Sequence, residues 1–254
     1  MDDNLKNQAV SESWLVEVLR VSVFSAVPSS VDTAFWEKLM QEQPEASSSR
    51  PKEQSYQYEG LFEKGKLILN MNPIRTDLIY TPPDIYGDEG LPIIGQFFEV
   101  RDIFYQLAKK CLNICNSVNR LALGVVLFQP VENKTEGYNR ISKYLPCIKL
   151  DPNNSSDFLY QINRPHESDS VNKLSINRLS KWSVVKFGRL HLQLNSADKT
   201  IQPIIPYELS SACRVELDIN TSQEFSDNLP KDKLSDLFDE LVNMADEISL
   251  KGDV

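Results

Sequence analysis

The amino-acid sequence predicts an α+β protein in which curved antiparallel sheets are each covered by a long amphipathic helix. Long apolar segments open near residues 14 and 121, short strand-like segments follow each of them, and each series closes with a helical apolar stripe. An antiparallel sheet commonly has one apolar face, and one long amphipathic helix is able to cover it. The order strand, helix, strands, helix thus occurs twice.

This repeated order predicts two pseudo-repeats, at 13–119 and 120–250, after a disordered tail at 1–12. The two halves share the order of their segments, but their sequence identity is negligible. One continuous α+β domain therefore stays open as the alternative.

In the first half, WLVEVLRVSVF at 14–24 is β-rich and apolar, which predicts a buried strand. Helically spaced apolar residues then predict a short helix that ends near Gln41. The segment QEQPEASSSRPKEQ that follows has no periodicity and predicts a mobile loop. Strands are predicted at 56–62, 66–71 and 75–80, and the first two flank a Glu-Lys-Gly turn.

The Pro- and Gly-rich segment TPPDIYGDEGLP predicts a loop, and the clearest helix of the chain follows it. Its apolar stripe runs from Phe97 to Val118. The stripe includes Phe104, Leu107, Ala108, Cys111 and Cys115.

In the second half, LALGVVLFQPV at 121–131 predicts another long apolar strand, and a short helical segment is predicted near 138–144. Further strands are predicted at 157–164, 173–179, 184–194 and 212–220. In the last of these, alternation points four residues inward: Cys213, Val215, Leu217 and Ile219. Pro230 is predicted to open a final helix, because proline is favoured in a first turn. Its apolar stripe comprises Leu234, Leu237, Phe238, Leu241, Ala245 and Ile248.

Several short motifs resemble those of an uncharacterised, sporadically distributed bacterial family. They are the strand core Leu15-Val16-Glu17-Val18, the pair Phe35-Trp36, the strand Leu217-Asp218-Ile219, and the Leu-x-x-Leu-Phe-x-x-Leu helix from Leu234 to Leu241. The resemblance spans nearly the whole chain, but its motifs are mostly core pattern. It implies a prokaryotic accessory gene of mobile or defence-related clusters, and it implies no catalytic residue.

Composition and charge exclude several classes of protein. The chain has 254 residues and a formal net charge of −9, which opposes general nucleic-acid binding. It has no apolar run long enough to span a membrane, and its acidic, polar start does not resemble a signal peptide. These features predict a cytoplasmic protein without membrane contact.

Catalytic motifs are also missing from the sequence. It contains no phosphate-binding loop, no dinucleotide fingerprint, no nucleophile elbow and no zinc-protease motif. The four cysteines and two histidines form no metal-ligand spacing stronger than Cys111-x-x-x-Cys115, so no metal and no cofactor are expected. Asp77 beside Arg75, and Glu216 beside Asp218, share strand faces but lack the converging partner set of a nuclease. The expectation is a protein without catalytic activity.

The tripeptide Ile-Asn-Arg occurs twice, at 162–164 and 176–178, on either side of the turn-forming segment PHESDSVN. Antiparallel pairing around this turn would bring Arg164 and Arg178 together, with Lys181 or Arg189 behind them. Two guanidinium groups held close without a carboxylate favour a phosphate, a nucleic-acid backbone or an acidic partner, and Trp182 would add stacking. The alternative is that the arginines pair with the acidic C-terminal region, which has twelve Asp and Glu against four Lys and Arg from Glu208 onward.

Three hypotheses on function follow. The first is a non-catalytic interaction subunit of a bacterial multi-protein system, such as phage defence or a toxin–antitoxin pair, whose partner is another protein of the same gene cluster. The second is a nucleic-acid-binding module that uses the basic segment 162–191. The third is a small-molecule-binding protein or enzyme with a pocket between sheet and helix. A homo-oligomer stays open under all three hypotheses.

Overall fold

The computed structural model describes residues 13–28, 31–83, 91–187, 191–195, 200–204, 210–225 and 227–253, with backbone alone for 191–195 and 200–204. The tail predicted at 1–12 and residues 84–90 of the predicted loop lie outside the described residues. Within them, the helices are α1 (Phe35–Met40), α2 (Phe97–Ile114), α3 (Lys134–Tyr144) and α4 (Leu234–Lys251), with short 3-10 turns at Pro51–Glu53 and Lys231–Lys233.

The strands run through both halves of the chain and differ widely in length. They are β1 (Leu15–Ser25), β2 (Ala46–Arg50), β3 (Ser55–Phe62), β4 (Gly65–Asn72), β5 (Arg75–Thr81), β6 (Gly95–Gln96), β7 (Val118–Val131), β8 (Leu159–Asn163), β9 (His166–Glu167), β10 (Ser175–Phe187), β11 (His191–Asn195), β12 (Thr200–Ile204) and β13 (Ser210–Thr221).

The prediction of several sheets, each with its own covering helix, is wrong. Eleven strands form one antiparallel sheet in the order β2-β3-β4-β5-β1-β7-β13-β10-β8, with β6 paired to β1 and β9 paired to β10, while β11 and β12 form a separate ladder. The two halves join at the centre, where β1 pairs with β7 from Leu15↔Phe128 to Ser25↔Val118. Each of these long strands therefore has a strand neighbour on both sides instead of a free edge.

The four helices described above pack on the same face of this sheet. The residues that they cover can be followed across the sheet, because paired residues of neighbouring strands share a face. One such row of partners runs through Tyr80, Leu19, Val125 and Leu217, all of which are buried. Helix α2 covers the row at Tyr80, where Phe104 stacks on the tyrosine ring at 5.9 Å. Burying this row contributes apolar surface to the core.

The two long helices lie side by side rather than on separate sheets. Tyr105 of α2 meets Phe238 of α4 edge to face at 5.7 Å, and Lys109 forms an ion pair with Asp239 at 2.6 Å. Phe104 and Phe238 are both fully buried, as their stripes predicted. One face of one sheet is thus wide enough to bury both apolar stripes.

Three local predictions need correction. The segment predicted as a mobile loop contains β2, whose five residues are all exposed and pair with β3 from Ala46↔Glu59 to Arg50↔Ser55. Because none of its side chains is buried, the sequence of this strand shows no alternation of apolar and polar residues, and only its backbone hydrogen bonds to β3 define it. Helix α2 ends at Ile114, because Cys115 adopts an extended conformation and Val118 already belongs to β7. The strands predicted at 173–179 and 184–194 are joined, since β10 continues unbroken to Phe187.

Candidate functional site

The two Ile-Asn-Arg copies lie in neighbouring antiparallel strands. Asn163 faces Leu179 in the register of β8 and β10, and the Arg164 N–H donates to the Arg178 carbonyl oxygen over 3.3 Å. The predicted pairing of the two segments is therefore confirmed. Because side chains alternate along β10, Ile176 is buried under the helices and Asn177 lies on the other face.

Arg164 holds a carboxylate at the C-terminal end of α4. Its Nε donates to Asp253 Oδ1 over 2.6 Å and its Nη2 donates to Oδ2 over 3.0 Å, which is a bidentate arrangement. The Tyr160 hydroxyl donates to the same carboxylate over 2.8 Å. Burial raises the pKa of Asp253, but the hydrogen bonds from Arg164 and Tyr160 together outweigh it and leave the pKa below its ordinary value.

The other two described cations of the candidate set also face carboxylates. Arg178 Nη2 lies 3.2 Å from Glu247 Oε2 of α4, and Lys181 Nζ lies 2.9 Å from Glu216 Oε1 of β13. Arg178 and Lys181 are three residues apart in a strand, so they lie on opposite faces of the sheet. The structure thus brings Arg164 and Arg178 together but separates Lys181 from them.

Trp182 belongs to the core on the helix-covered face. It is fully buried, stacks on Tyr144 at a centroid distance of 5.5 Å, and meets Trp14 edge to face at 6.1 Å. Its indole N–H donates to Ser180 Oγ over 3.0 Å. Arg189, the fifth candidate, lies outside the described residues.

The opposite face of the sheet, on which no described helix packs, is called the uncovered face below. It carries alternate residues of the central strands, with polar and apolar side chains mixed. Its central residues are Val18, Arg20, Ser22, Phe24, Arg75, Asp77, Ile79, Arg120, Ala122, Gly124, Val126, Arg214, Glu216, Asp218, Asn220, Asn177 and Lys181.

A chain of hydrogen-bonded side-chain amides crosses the uncovered face, and it includes the asparagine of both Ile-Asn-Arg copies. Asn163 donates to Asn177 over 2.9 Å, and Asn177 donates to Asn220 over 3.1 Å. Asn220 accepts a second hydrogen bond from Arg120 at 3.0 Å and donates to Asp218 over 3.0 Å. The amides are therefore occupied by one another and fix the polar surface of β8, β10 and β13.

Asp77, whose carboxylate could in principle serve a nuclease, also has partners within the sheet. Ser22 donates to Asp77 Oδ1 over 2.5 Å, and Arg75 Nε lies 2.7 Å from Oδ2. Within the described ranges, no group of three or more His, Cys, Asp or Glu could hold a metal ion. Beside this pair, Phe24 lies between two guanidinium groups, with Arg75 at 5.0 Å and Arg120 at 5.1 Å from the ring centroid.

Arg20 is the residue that sequence reasoning missed. It lies near the middle of β1 on the uncovered face, opposite Ile79 on one side and Gly124 on the other. Its side chain lies over Gly124, where an added Cβ would come within 3.4 Å of Arg20 Nε and Nη2. The available signal is an arginine in the middle of the mostly apolar run LVEVLRVSVF, for which the sequence predicts a buried strand.

The cysteines differ in environment. Cys111, Cys115 and Cys213 are buried and Cys147 is exposed. Burial raises the pKa of the Cys213 thiol to about 12, and the hydrogen bond with Cys115, together with burial, raises the pKa of Cys111. Both thiols are therefore poor nucleophiles at neutral pH.

Comparison with known proteins adds no family: no family model, no curated protein and no solved structure matches the chain. Within the part of the chain that the structure describes, no helix combines the length and the apolar character needed to cross a membrane.

Proposed function

We propose that this protein is a non-catalytic interaction subunit that holds a protein partner on its uncovered face. The observation that carries this proposal is the composition of that face. Half-buried Val18, Ile79 and Val126 lie at its centre, and ion pairs such as Arg75–Asp77 and Lys181–Glu216 lie around them. An apolar centre within a polar rim is the usual anatomy of a protein–protein interface.

The balance of charge favours a protein partner over nucleic acid. Around the centre of the face, Lys66, Arg75, Lys181 and Arg214 pair with Glu59, Asp77, Glu216 and Glu17. On the other face, Arg164 and Arg178 are engaged by carboxylates of the C-terminal region. A phosphate backbone needs a surplus of cations, and these pairs leave little surplus.

The packing beneath α2 gives little support to a ligand pocket between sheet and helix. Phe97, Phe104, Ala108 and Cys111 are buried against the sheet with 0–1% of their surface exposed. A cavity of about 110 Å³ lies at the end of this helix, beside Ile114 and Cys115, and is small for an organic substrate.

The resemblance to a bacterial family gives this interaction a biological setting. On that basis the partner is proposed to be another protein of the same gene cluster, within a multi-protein system such as phage defence or a toxin–antitoxin pair. This setting rests on short sequence motifs, while the docking surface rests on the geometry of the uncovered face.

The experiment compares two glutamate substitutions in a tagged chain expressed in its own host. Val126→Glu places a charge at the centre of the uncovered face, and Leu250→Glu places one on the exposed side of α4, where Leu250 is 62% exposed. We expect a stoichiometric protein to co-purify with the wild type and with Leu250→Glu, and to be lost with Val126→Glu. Equal recovery with both variants, or recovery that nuclease treatment abolishes, would contradict the proposal.

A further inference from the structure

We infer that Arg20 is the anchor of the uncovered face and that it receives a carboxylate from the partner, presented between apolar side chains. This inference rests on the proposed function, since it names the chemistry of the same docking surface. It requires that Arg20 be available, that its surroundings favour an anion, and that the partner fit an open sheet.

Arg20 differs from the other cations of the face in having no polar partner within the described part of the chain. Among the described residues, it makes no hydrogen bond or ion pair, whereas Arg75 pairs with Asp77 and Arg214 pairs with Glu17. Arg120 donates to Asn220 and to the Thr221 carbonyl oxygen and contacts Phe24. Arg20 is therefore the guanidinium at the sheet centre whose donors are unused.

The neighbours of Arg20 strengthen its attraction for an anion. Ile79 and Gly124 flank it across the ladders, and Val18 lies two residues before it and pairs with Val126. These four residues are half-buried and carry no charge. When a partner covers them, water is excluded and a guanidinium–carboxylate pair is strengthened by the lower dielectric.

The carboxylates of the face make their contacts with other residues. Asp77 accepts from Ser22 and pairs with Arg75, and Asp218, in the same cross-strand row as Arg20, lies beyond Gly124 and accepts from Asn220. Among the described residues, no carboxylate thus forms an ion pair with Arg20. Arginine is also one of the residue types that are enriched at energetic hot spots near the centre of an interface.

The open part of this row is the Arg20 side chain itself. Ser22 and Ala122 face each other next to Gly124 and are buried, with 2% and 8% of their surface exposed, whereas Arg20 is half-buried. A partner therefore reaches the arginine from above the sheet, with an Asp or Glu side chain carried on an extended or looped segment. One unpaired arginine matches a single acidic residue with apolar neighbours better than a phosphate chain, which would bring many charges to it.

The test uses a random peptide library displayed on phage and selected on the full wild-type chain. The selected peptides are synthesised with their acidic residue as Glu and as Gln, and their affinities are measured for wild type, Arg20→Ala, Arg20→Lys and Arg50→Ala. Arg50 is a matched control, because it is an exposed arginine of the edge strand β2. Arg20 makes no polar contact with another described residue, so Arg20→Ala is expected to fold, and circular dichroism checks this.

We expect the Glu peptides to bind wild type and Arg50→Ala equally, and to lose at least about tenfold in affinity with Arg20→Ala. The Gln peptides should lose a similar factor on wild type, and Arg20→Lys should lie between the two, because lysine keeps the charge without the bidentate geometry.

Peptides whose binding is lost with Val126→Glu, but whose Glu and Gln forms bind the wild type equally well, would overturn this inference. They would leave the proposed docking face intact. A library that yields no peptide sensitive to Val126→Glu would overturn the inference and count against the face as well. Binding of a random single-stranded RNA or DNA probe that Arg20→Ala abolishes would also overturn it, since the partner would then be a nucleic acid.

Discussion

Arg164 and Asp253 are 89 residues apart in sequence, and two hydrogen bonds, of 2.6 Å and 3.0 Å, join their side chains. The pair fastens the end of α4 to the edge of the sheet at β8. Gly252 makes the approach possible: its φ of 81° lies in the left-handed region, and the Asp253 N–H then donates to the Tyr144 carbonyl oxygen over 2.9 Å. Arg164 of the basic segment 162–191 thus anchors the C-terminal end of the last helix.

The Asp253 carboxylate should make stability depend on pH. Its folded-state pKa lies below the ordinary value of 3.8, so its contribution is fully present above that value and is lost as pH falls through the folded-state pKa. We expect Asp253→Asn to lower the free energy of unfolding at neutral pH and the difference from wild type to vanish in strong acid. Urea denaturation at a series of pH values measures this. Asp236→Asn, an exposed carboxyl of α4, is the control; an equal pH dependence of both variants would contradict the assignment.

Trp182 should behave as a core residue. Trp182→Ala is expected to cost about 3–5 kcal/mol of unfolding free energy, because a fully buried indole that packs on Tyr144 and Trp14 leaves a large cavity. Trp182→Phe should cost less, since it keeps most of the aromatic contact. Chemical denaturation measures both. A stable Trp182→Ala variant with weakened binding to single-stranded nucleic acid would instead support a stacking role.

Gly137 is a position where α3 approaches the sheet closely. A Cβ there would lie 2.8 Å from Val184 Cγ1, and valine, being stiff at its first side-chain torsion, has little freedom to move aside. Gly137→Ala is therefore expected to destabilise the protein by about 1–3 kcal/mol, despite the better helix propensity of alanine. Adding Val184→Ala should make the Gly137→Ala substitution less costly. Additive losses in the double variant would show that the crowding lies elsewhere.

The thiols should separate into one reactive and three protected groups. In the folded protein we expect a thiol reagent to modify Cys147 rapidly and Cys111, Cys115 and Cys213 only slowly, because the latter three are buried. Unfolding in guanidinium should expose all four. Mass spectrometry after brief labelling identifies the modified residue. Rapid labelling of Cys213 in the folded state would contradict its packing under α3, where its thiol donates to the Gly137 carbonyl oxygen over 3.3 Å.

The sequence predicted best those segments whose side chains alternate or repeat locally. The stripe of α4 and the alternation of β13 were visible because each position is either covered by the sheet or not, and that choice is made residue by residue. Strand β2 was missed because its exposed serines carry no such pattern. Arg164 and Arg178 were correctly expected to lie together, and the alternative that they pair with the acidic C-terminal region is confirmed by their ion pairs with Asp253 and Glu247. The sequence could not show which carboxylate meets which arginine, because that depends on where α4 lies on the sheet.

By itself, then, the sequence determined the longer strands and helices with an apolar side and which side that is, since those properties depend on neighbours a few residues apart. Only the tertiary structure decided that β1 and β7 pair into one sheet, that the helices the structure describes share one of its faces, and that Arg20 on the other face has no polar partner among the described residues. These outcomes depend on contacts between residues far apart in the sequence, such as Leu15 of β1 and Phe128 of β7. No local pattern encodes such contacts, because they form only when the whole sheet is assembled.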